Sequence, residues 1–386
     1  MIKTITLHTT ELDYEDKAVG ELLAQLEQGG GLLKNTVGII SCHYEFVLSD
    51  IFKAACEALP FEIVGTITSA QSVPGEIDTL LMTIMVLTSD DVEFDTIVTD
   101  PLMSGNPGQV ISDNYKSSCR AEKPALILTF APFIAQNCGD EYVNAVTEAS
   151  GGAPCFGTLA IDDTLDFVNC FMLADKEHHN DKMAMILIYG AVSPKFYVAN
   201  ISESRIFGKG ANITKSAGSL LMELNGRHVK EYFDEISMTD AAEQQYAMSS
   251  LPFLVDFNDG SPKVSRIFVM FVDGGYALCA AAMPQGGTMY IAKTDGADVL
   301  LTAGNAIDEI TEDIAGKSAL LVYTCISRAM ALGGNQLGEL ELLDKKIGGK
   351  IPFMVGNSGG EICPTMVSGE KAINRFHNNA FVACMF

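Results

Sequence analysis

Residues 319–361 read ALLVYTCISRAMALGGNQLGELELLDKKIGGKIPFMVGNSGGE, and this stretch decides the fold. It begins with an apolar run rich in β-branched residues, which predicts a buried strand. A helix is predicted from about Ser327 to Ile347, and a short strand led by Pro352 then ends at Gly356 in a polar turn. The stretch therefore predicts one strand–helix–strand unit.

Two earlier stretches repeat this order. The first begins at Thr36–Cys42 and reaches its glycine at Gly65, while the second begins at Ala125–Phe130 and reaches Gly157. Each is followed by a polar turn and another apolar run. A strand–helix–strand connection makes its two strands parallel, so both end at the same edge of a sheet, where ligands of α/β proteins commonly bind.

Between the second and third units the pattern changes to short alternating strands. Val272-Asp-Gly-Gly275 lies between the strand-like runs Lys263–Met270 and Tyr276–Met283, which indicates a β-hairpin. The predicted fold class is therefore α/β: repeated strand–helix–strand units form mixed sheets covered by helices, with an inserted antiparallel β-hairpin region. We place a domain boundary between residues 236 and 237, giving regions 1–236 and 237–386.

The composition limits the possible partners. The chain has 386 residues with 48% hydrophobic residues, and its formal charge is −24, from 49 acidic and 25 basic residues. This charge would repel nucleic acid. No apolar run is long enough to span a bilayer, and acidic residues stand where a signal peptide would be apolar, so we expect a cytoplasmic protein with no membrane partner. The ten cysteines form no C-x-x-C pair, and we expect neither disulfides nor a metal site.

The order of several motifs resembles the FIST family. These motifs are IVGTITSAQSVPGE (63–76), PALILTFAPF (124–133), PCFGTLAIDD (154–163), ITKSAGSLLMELNGRHVKEYF (213–233), AAMPQGGTMYIA (281–292) and, near the C-terminus, YTCISRAMALG and GNSGGEICPT. The two regions would then be a FIST N-like region with two units and a FIST C-like region with the hairpin segment and the third unit.

The resemblance implies a function. Proteins of this family are regarded as intracellular sensory modules for small ligands, with amino acids the usual suggestion, and many are joined to kinase, cyclase or chemotaxis output domains. We therefore expect a sensor of an amino acid or similar small carboxylate, without catalysis, that signals through a separate partner of this kind. Some relatives are haem-based gas sensors, so haem is a further alternative, with His43 and His228 as possible ligands; otherwise no cofactor is expected.

Arg328 and Glu361 are the most informative candidate site residues. The family pattern of a Cys and an Arg three apart, an acid on the next helix and a Gly-Glu is met by Cys325, Arg328, Glu339, Gly360 and Glu361. The unit geometry places Arg328 near Glu361. An arginine can hold a carboxylate and a glutamate an ammonium group, so the pair could grip an amino acid, or the two could bond to each other.

Polar turns supply the remaining candidates. Asn357 and Ser358 follow the third unit, and Thr66, Ser69 and Asp162 stand at corresponding turns of the first two. All are ordinary turn formers, but their recurrence at one place in three units favours a ligand-binding role.

Catalysis is the alternative function. Gly356-Asn-Ser-Gly-Gly360 fits G-x-S-x-G, so a hydrolase or transferase could use Ser358, or Cys325 if the pKa of its thiol were lowered. However, a nucleophilic serine of this type needs a helix after its turn, and Pro364 argues against one.

Overall fold

The chain repeats one order of strands and helices three times in its computed structural model, which describes residues 1–134, 137–164, 167–238, 252–367 and 371–386. The first unit contains, in order, β1 (Lys3–Thr9), α1 (Glu15–Gln28), β2 (Asn35–Cys42), α2 (Glu45–Leu48), α3 (Ile51–Ala58), β3 (Glu62–Ile67), β4 (Gln71–Val73), β5 (Glu76–Asp78) and β6 (Met82–Ser89). The second contains β7 (Glu93–Val98), α4 (Pro107–Ser118), β8 (Leu126–Ala131), α5 (Gly139–Ala149), β9 (Cys155–Leu159), β10 (Met172–Ala174), β11 (Glu177–His179) and β12 (Ala184–Tyr189).

The third unit has the same order but is interrupted after its first strand, β13 (Lys195–Ala199). The inserted region contains β14 (Ile206–Ala217), β15 (Leu220–Leu224), β16 (Arg227–His228), α6 (Val229–Glu235), β17 (Phe253–Asp256), β18 (Val264–Arg266), β19 (Phe268–Val272), β20 (Tyr276–Cys279) and β21 (Thr288–Ala292). The unit resumes with α7 (Gly296–Asp313), β22 (Leu320–Cys325), α8 (Ile326–Ala331), α9 (Gly338–Ile347), β23 (Phe353–Ser358), β24 (Glu361–Val367), β25 (Lys371–His377) and β26 (Phe381–Met385). Short 3₁₀ turns cover Leu102–Ser104, Glu203–Arg205 and Gly333–Asn335.

The predicted fold class is confirmed by the strand pairing. In each unit the two strands around the helix are parallel: β2 with β3, β8 with β9, and β22 with β23. All other strand pairs of the described residues are antiparallel, so the six-stranded sheet of each unit is mixed. The glycines that mark the repeat, Gly65, Gly157 and Gly356, lie in the second parallel strand of their units.

The three units exchange hairpins in a closed ring. The β4–β5 hairpin of the first unit pairs with β23 of the third. The β24–β25 hairpin of the third pairs with β9 of the second, and the β10–β11 hairpin of the second pairs with β3 of the first. Each unit thereby completes the sheet of another. The exchange draws the carboxyl ends of β3, β9 and β23 together.

In the sheets of the three repeated units, central strands are buried on both faces. Ile39, Leu128 and Leu321 come from three different sheets and belong to one central core. The residue after Ile39, Ile40, points to the opposite face and packs in a separate core beneath α1 and α3. Burial on both faces explains why these strands read as continuous apolar runs rather than alternating ones.

The inserted region forms an antiparallel sheet, as the hairpin pattern predicted. Gly275 N donates to Val272 O at 2.9 Å between β19 and β20. Strands before and after residue 237 pair in this sheet, for example β14 with β21, and share one hydrophobic core that includes Phe233 and Phe253. The boundary between residues 236 and 237 stays a prediction.

One predicted helix differs in the structure. The helix expected from Ser327 to Ile347 is two helices, α8 and α9. The break lies at Gly333, whose φ of +60° is a left-handed conformation that glycine adopts without the steric cost of a Cβ.

Candidate functional site

A cavity of about 940 Å³ lies where strands of all three units end. Its wall contains His43 directly after β2, Ile326 directly after β22, residues 161–164 shortly after β9, and the loop between β3 and β4. The lining residues are Leu12, His43, Glu45, Ser69, Ala70, Thr79, Leu80, Ile161, Asp162, Asp163, Thr164, Phe167, Ile326, Ala329, Met330, Gln336, Leu337 and Asn357. Three predicted site residues are therefore brought together here: Ser69, Asp162 and Asn357.

Backbone hydrogen bonds hold these strand ends side by side. Asn357 N donates to Ala70 O at 3.0 Å, which joins the third unit to the first. Ile161 N donates to Ile67 O at 3.3 Å, which joins the second unit to the first. The cavity is thus a product of the hairpin exchange, since each wall comes from a different unit.

Two side chains of the cavity wall carry buried oxygen atoms without a partner among the described residues. Asp162 is 3% exposed; its Oδ2 accepts from Thr164 Oγ1 at 2.8 Å and from Asn169 N at 3.1 Å, while Oδ1 accepts nothing. Asn357 is also 3% exposed; its Nδ2 donates to Ser69 Oγ at 3.1 Å, and its Oδ1 is unpaired. An unpaired buried acceptor costs free energy, so both oxygens favour a ligand that donates hydrogen bonds.

His43 was not among the predicted residues for a small ligand, yet it lies in the wall next to Asp163. Its Nδ1 accepts from Glu45 N at 3.3 Å, and its Nε2 lies 3.3 Å from Asp163 Oδ2. The Nδ1 contact places the proton of the neutral ring on Nε2, where it faces the carboxylate. The sequence signal was available, because His43 directly follows β2 at the carboxyl end of a parallel strand.

Neither histidine considered for haem fits an axial ligand as it lies. Both nitrogens of His43 are engaged, and those of His228 contact Lys230 N and Gly274 O. Iron would need an unprotonated nitrogen facing it. A Soret band after haem reconstitution would contradict this interpretation. In the described part of the chain no group of three or more His, Cys, Asp or Glu residues could hold a metal ion.

Arg328 forms an ion pair with Glu339, although it also lies close enough to Glu361, as expected, for its charge to lower the pKa of that carboxyl group. Its Nη2 and Nε donate to Glu339 Oε1 at 2.8 and 3.0 Å, and Nη2 also donates to Val299 O at 3.0 Å. Among the described residues no hydrogen bond joins Arg328 to Glu361. Arg328 is 1% exposed and does not line the cavity, because α8 turns its side chain towards α7 and α9.

Glu361 is a buried carboxyl group next to Cys325 and Ser358. Its Oε2 accepts from Ala380 N at 3.3 Å, and its Oε1 has no partner among the described residues. Burial raises the pKa of Glu361 to about 8, although the neighbouring Ser358 and Cys325 groups and the Ala380 amide partly offset this rise. The carboxyl group is therefore mostly protonated near neutral pH.

Ser358 and Cys325 lack the surroundings of catalytic nucleophiles. Ser358 is fully buried and accepts from Thr158 Oγ1 at 2.7 Å and Gly360 N at 3.0 Å. It ends a strand that is followed by another strand, β24, and not by a helix. Burial raises the pKa of the Cys325 thiol to about 12, which disfavours the reactive thiolate. Neither residue lines the cavity.

Thr66 also lies outside the cavity wall. It is fully buried in β3, opposite Met172 of the exchanged hairpin, and its Oγ1 has no partner in the described part of the chain. Some of the predicted turn residues therefore line the cavity, but the repeat did not show which side chain of each turn faces it.

An α/β fold whose parallel strands end at a polar cavity is typical of proteins that bind small ligands. Residues 36–227 match the FIST N domain and residues 212–364 match the FIST C domain. The chain therefore belongs to the FIST family, whose domains are sensory domains of signal-transduction proteins.

Comparisons with curated proteins and with solved structures give no further information about function. No curated protein matches the chain. A solved structure, the cyanuric acid hydrolase from A. caulinodans, aligns over 100% of this chain and 99% of its own, with 9% sequence identity and a TM-score of 0.36. A TM-score this low carries no conclusion about fold or function. No helix of the described residues is long and apolar enough to cross a membrane.

Proposed function

We propose that this FIST protein is a sensor that binds an amino acid in the cavity between its three units. The observation that carries the proposal is the pair of buried, unpaired oxygens on Asp162 and Asn357. A protonated amino group supplies three donors and one positive charge, which match a carboxylate and an amide oxygen.

The proposed role is binding without chemistry. Ser358 and Cys325, the two candidate nucleophiles, are buried away from the cavity, and among the described residues no hydrogen bond joins Ser69 of the wall to His43. Occupancy would be passed to a separate signalling partner, such as a kinase, a cyclase or a chemotaxis component. A hydrolase or transferase is the alternative. An enzymatic activity of the wild-type protein that is lost in Ser358→Ala or Cys325→Ala would support this alternative.

Thermal unfolding with a panel of the twenty amino acids tests the proposal. An amino acid at about 100 times its dissociation constant adds roughly 2.7 kcal/mol to the stability of the folded state, which gives a measurable rise in Tm. We expect this rise with at least one amino acid and its loss in Asp162→Asn and Asn357→Ala. Asp308→Asn, at a carboxylate that pairs with Lys346 outside the cavity, is the control and should respond like the wild type. The proposal fails if no amino acid shifts Tm, or if the shift survives both cavity variants.

A further inference from the structure

The charged side chains that the structure describes in the cavity wall are mainly acidic. The wall contains the carboxylates of Glu45, Asp162 and Asp163, whereas its described residues include no lysine or arginine. Among the described residues of this wall His43 is the one ionisable base, and it already faces Asp163. A bound carboxylate would therefore meet three acidic groups, whereas a bound cation would be attracted.

Asp162 adds a second and independent observation. It is buried, but its partners are a hydroxyl and a backbone amide, and no cation of the described residues pairs with it. A buried carboxylate is normally paired with a positive group. Asp162 and Asn357 both line the cavity, and each carries an unpaired Oδ1 that could accept a hydrogen bond from a cationic ligand.

Much of the remaining wall is apolar. Leu12, Leu80, Ile161, Phe167, Ile326 and Met330 contribute hydrophobic surface. A ligand that fits this wall has a charged amino group at one end and a hydrocarbon body at the other. Its body would gain from burial, at about 25 cal/mol per Å² of apolar surface removed from water.

We infer that the cavity selects a monocationic amine with an apolar body, and that it holds an amino acid through its ammonium group alone. The inference rests on the proposed function, because it concerns the same cavity. It goes further in stating that the carboxylate of the ligand is dispensable. A decarboxylated amino acid should bind at least as well as its parent, and a deaminated one should not bind.

Calorimetric titration with two matched sets of probes tests the inference. The first set is leucine, 3-methylbutylamine and 4-methylpentanoate, and the second is phenylalanine, 2-phenylethylamine and 3-phenylpropanoate. Within each set the apolar body is the same and only the charged groups differ. We expect the amine to bind as tightly as the amino acid or more tightly, and the acid to bind about 100-fold more weakly or not at all. Asp162→Asn should weaken amine binding by about 10-fold or more, whereas Asp308→Asn should not change it.

The possible results separate the inference from the proposed function. If an amino acid binds but its amine does not, or if the acid binds as well as the amino acid, the inference is overturned and the amino-acid sensor stands. If the amine binds equally well to Asp162→Asn, it binds elsewhere and the inference is also overturned. If all six probes fail, the inference is overturned, and the panel of twenty amino acids decides on the proposed function by itself.

Discussion

Arg328 is a buried cation whose positive charge is matched by one carboxylate, that of Glu339. Removing one member of a buried ion pair leaves the other charge desolvated and unpaired, which typically costs about 3–5 kcal/mol. We therefore predict that Arg328→Ala lowers the free energy of unfolding by about this amount, measured by urea denaturation. Arg227→Ala, which removes an exposed pair with Glu235, should change it little.

The response of Arg328→Ala to ligand distinguishes a structural role of Arg328 from a ligand-binding role. Folded Arg328→Ala should keep the Tm response to the amino acid, because Arg328 lies outside the cavity wall. A variant of normal stability that has lost this response would contradict the structural role. The sequence could not settle this question, because the partner of Arg328 depends on how α9 packs after the break at Gly333.

Glu361 makes stability depend on pH in a defined direction. The pKa of its carboxyl group is raised from 4.5 to about 8 on folding, so the folded state holds a proton that the unfolded state has lost between these values. Its contribution to stability is complete below about pH 4.5 and is lost as the pH rises through about 8. We predict that the free energy of unfolding of the wild type falls relative to that of Glu361→Gln across this range, by at most about 1.4 kcal/mol per pH unit. Urea denaturation of both proteins from about pH 5 to pH 9 measures the difference, and parallel curves would contradict the prediction.

At the scale of single elements, the glycine of each second parallel strand is required by close packing. A Cβ added at Gly157 would lie 1.9 Å from the backbone oxygen of Thr129, and one at Gly65 would lie 1.9 Å from that of Ile40. Backbone atoms of a central strand cannot move away cheaply. We predict that Gly157→Ala lowers the free energy of unfolding, measured by urea denaturation, by about 3 kcal/mol, the upper end of the usual cost of overpacking.

A glycine without such a neighbour provides the matched control. Gly20 lies in α1 with nothing within 4 Å of an added Cβ. Gly20→Ala should therefore stabilise the protein by about 0.5–1 kcal/mol, since alanine favours a helix. If Gly157→Ala and Gly20→Ala changed the free energy of unfolding equally, the glycine in the strand would not be needed for packing.

The strands and helices of the repeated units could be predicted from sequence, because apolar runs and turn residues are local signals. The runs at 36–42, 125–130 and 319–324 gave β2, β8 and β22, and each parallel partner followed from its glycine. The first strand of each unit was harder to recognise. For example, β7 is mostly half-buried at a sheet edge and carries the weak apolar pattern EFDTIV.

At the scale of the whole molecule, the exchange of hairpins determines where the site lies, and it could not be predicted. A hairpin such as β4–β5 has the same local sequence whether it pairs within its own unit or with β23, because pairing is decided by packing across distant parts of the chain. Ser69 and Asp162 were selected as polar residues that follow parallel strands, and Asn357 was selected from a turn that in the structure is the end of β23. That they face one cavity, while Arg328 and Glu361 do not, depends on this exchange.

The central claim is that the ligand binds in the cavity between the three units, and a fluorescent reporter in its wall tests this most directly. The chain contains no tryptophan, so Phe167→Trp, in the wall, and Phe207→Trp, on the exposed surface of β14, each create a single reporter. We predict that titration with an amino acid that raises Tm changes the emission of Phe167→Trp in a saturable way and leaves that of Phe207→Trp unchanged. Adding Asp162→Asn should abolish the change. If the ligand raises Tm in Phe167→Trp while its emission stays constant, the ligand binds elsewhere and the claim is contradicted.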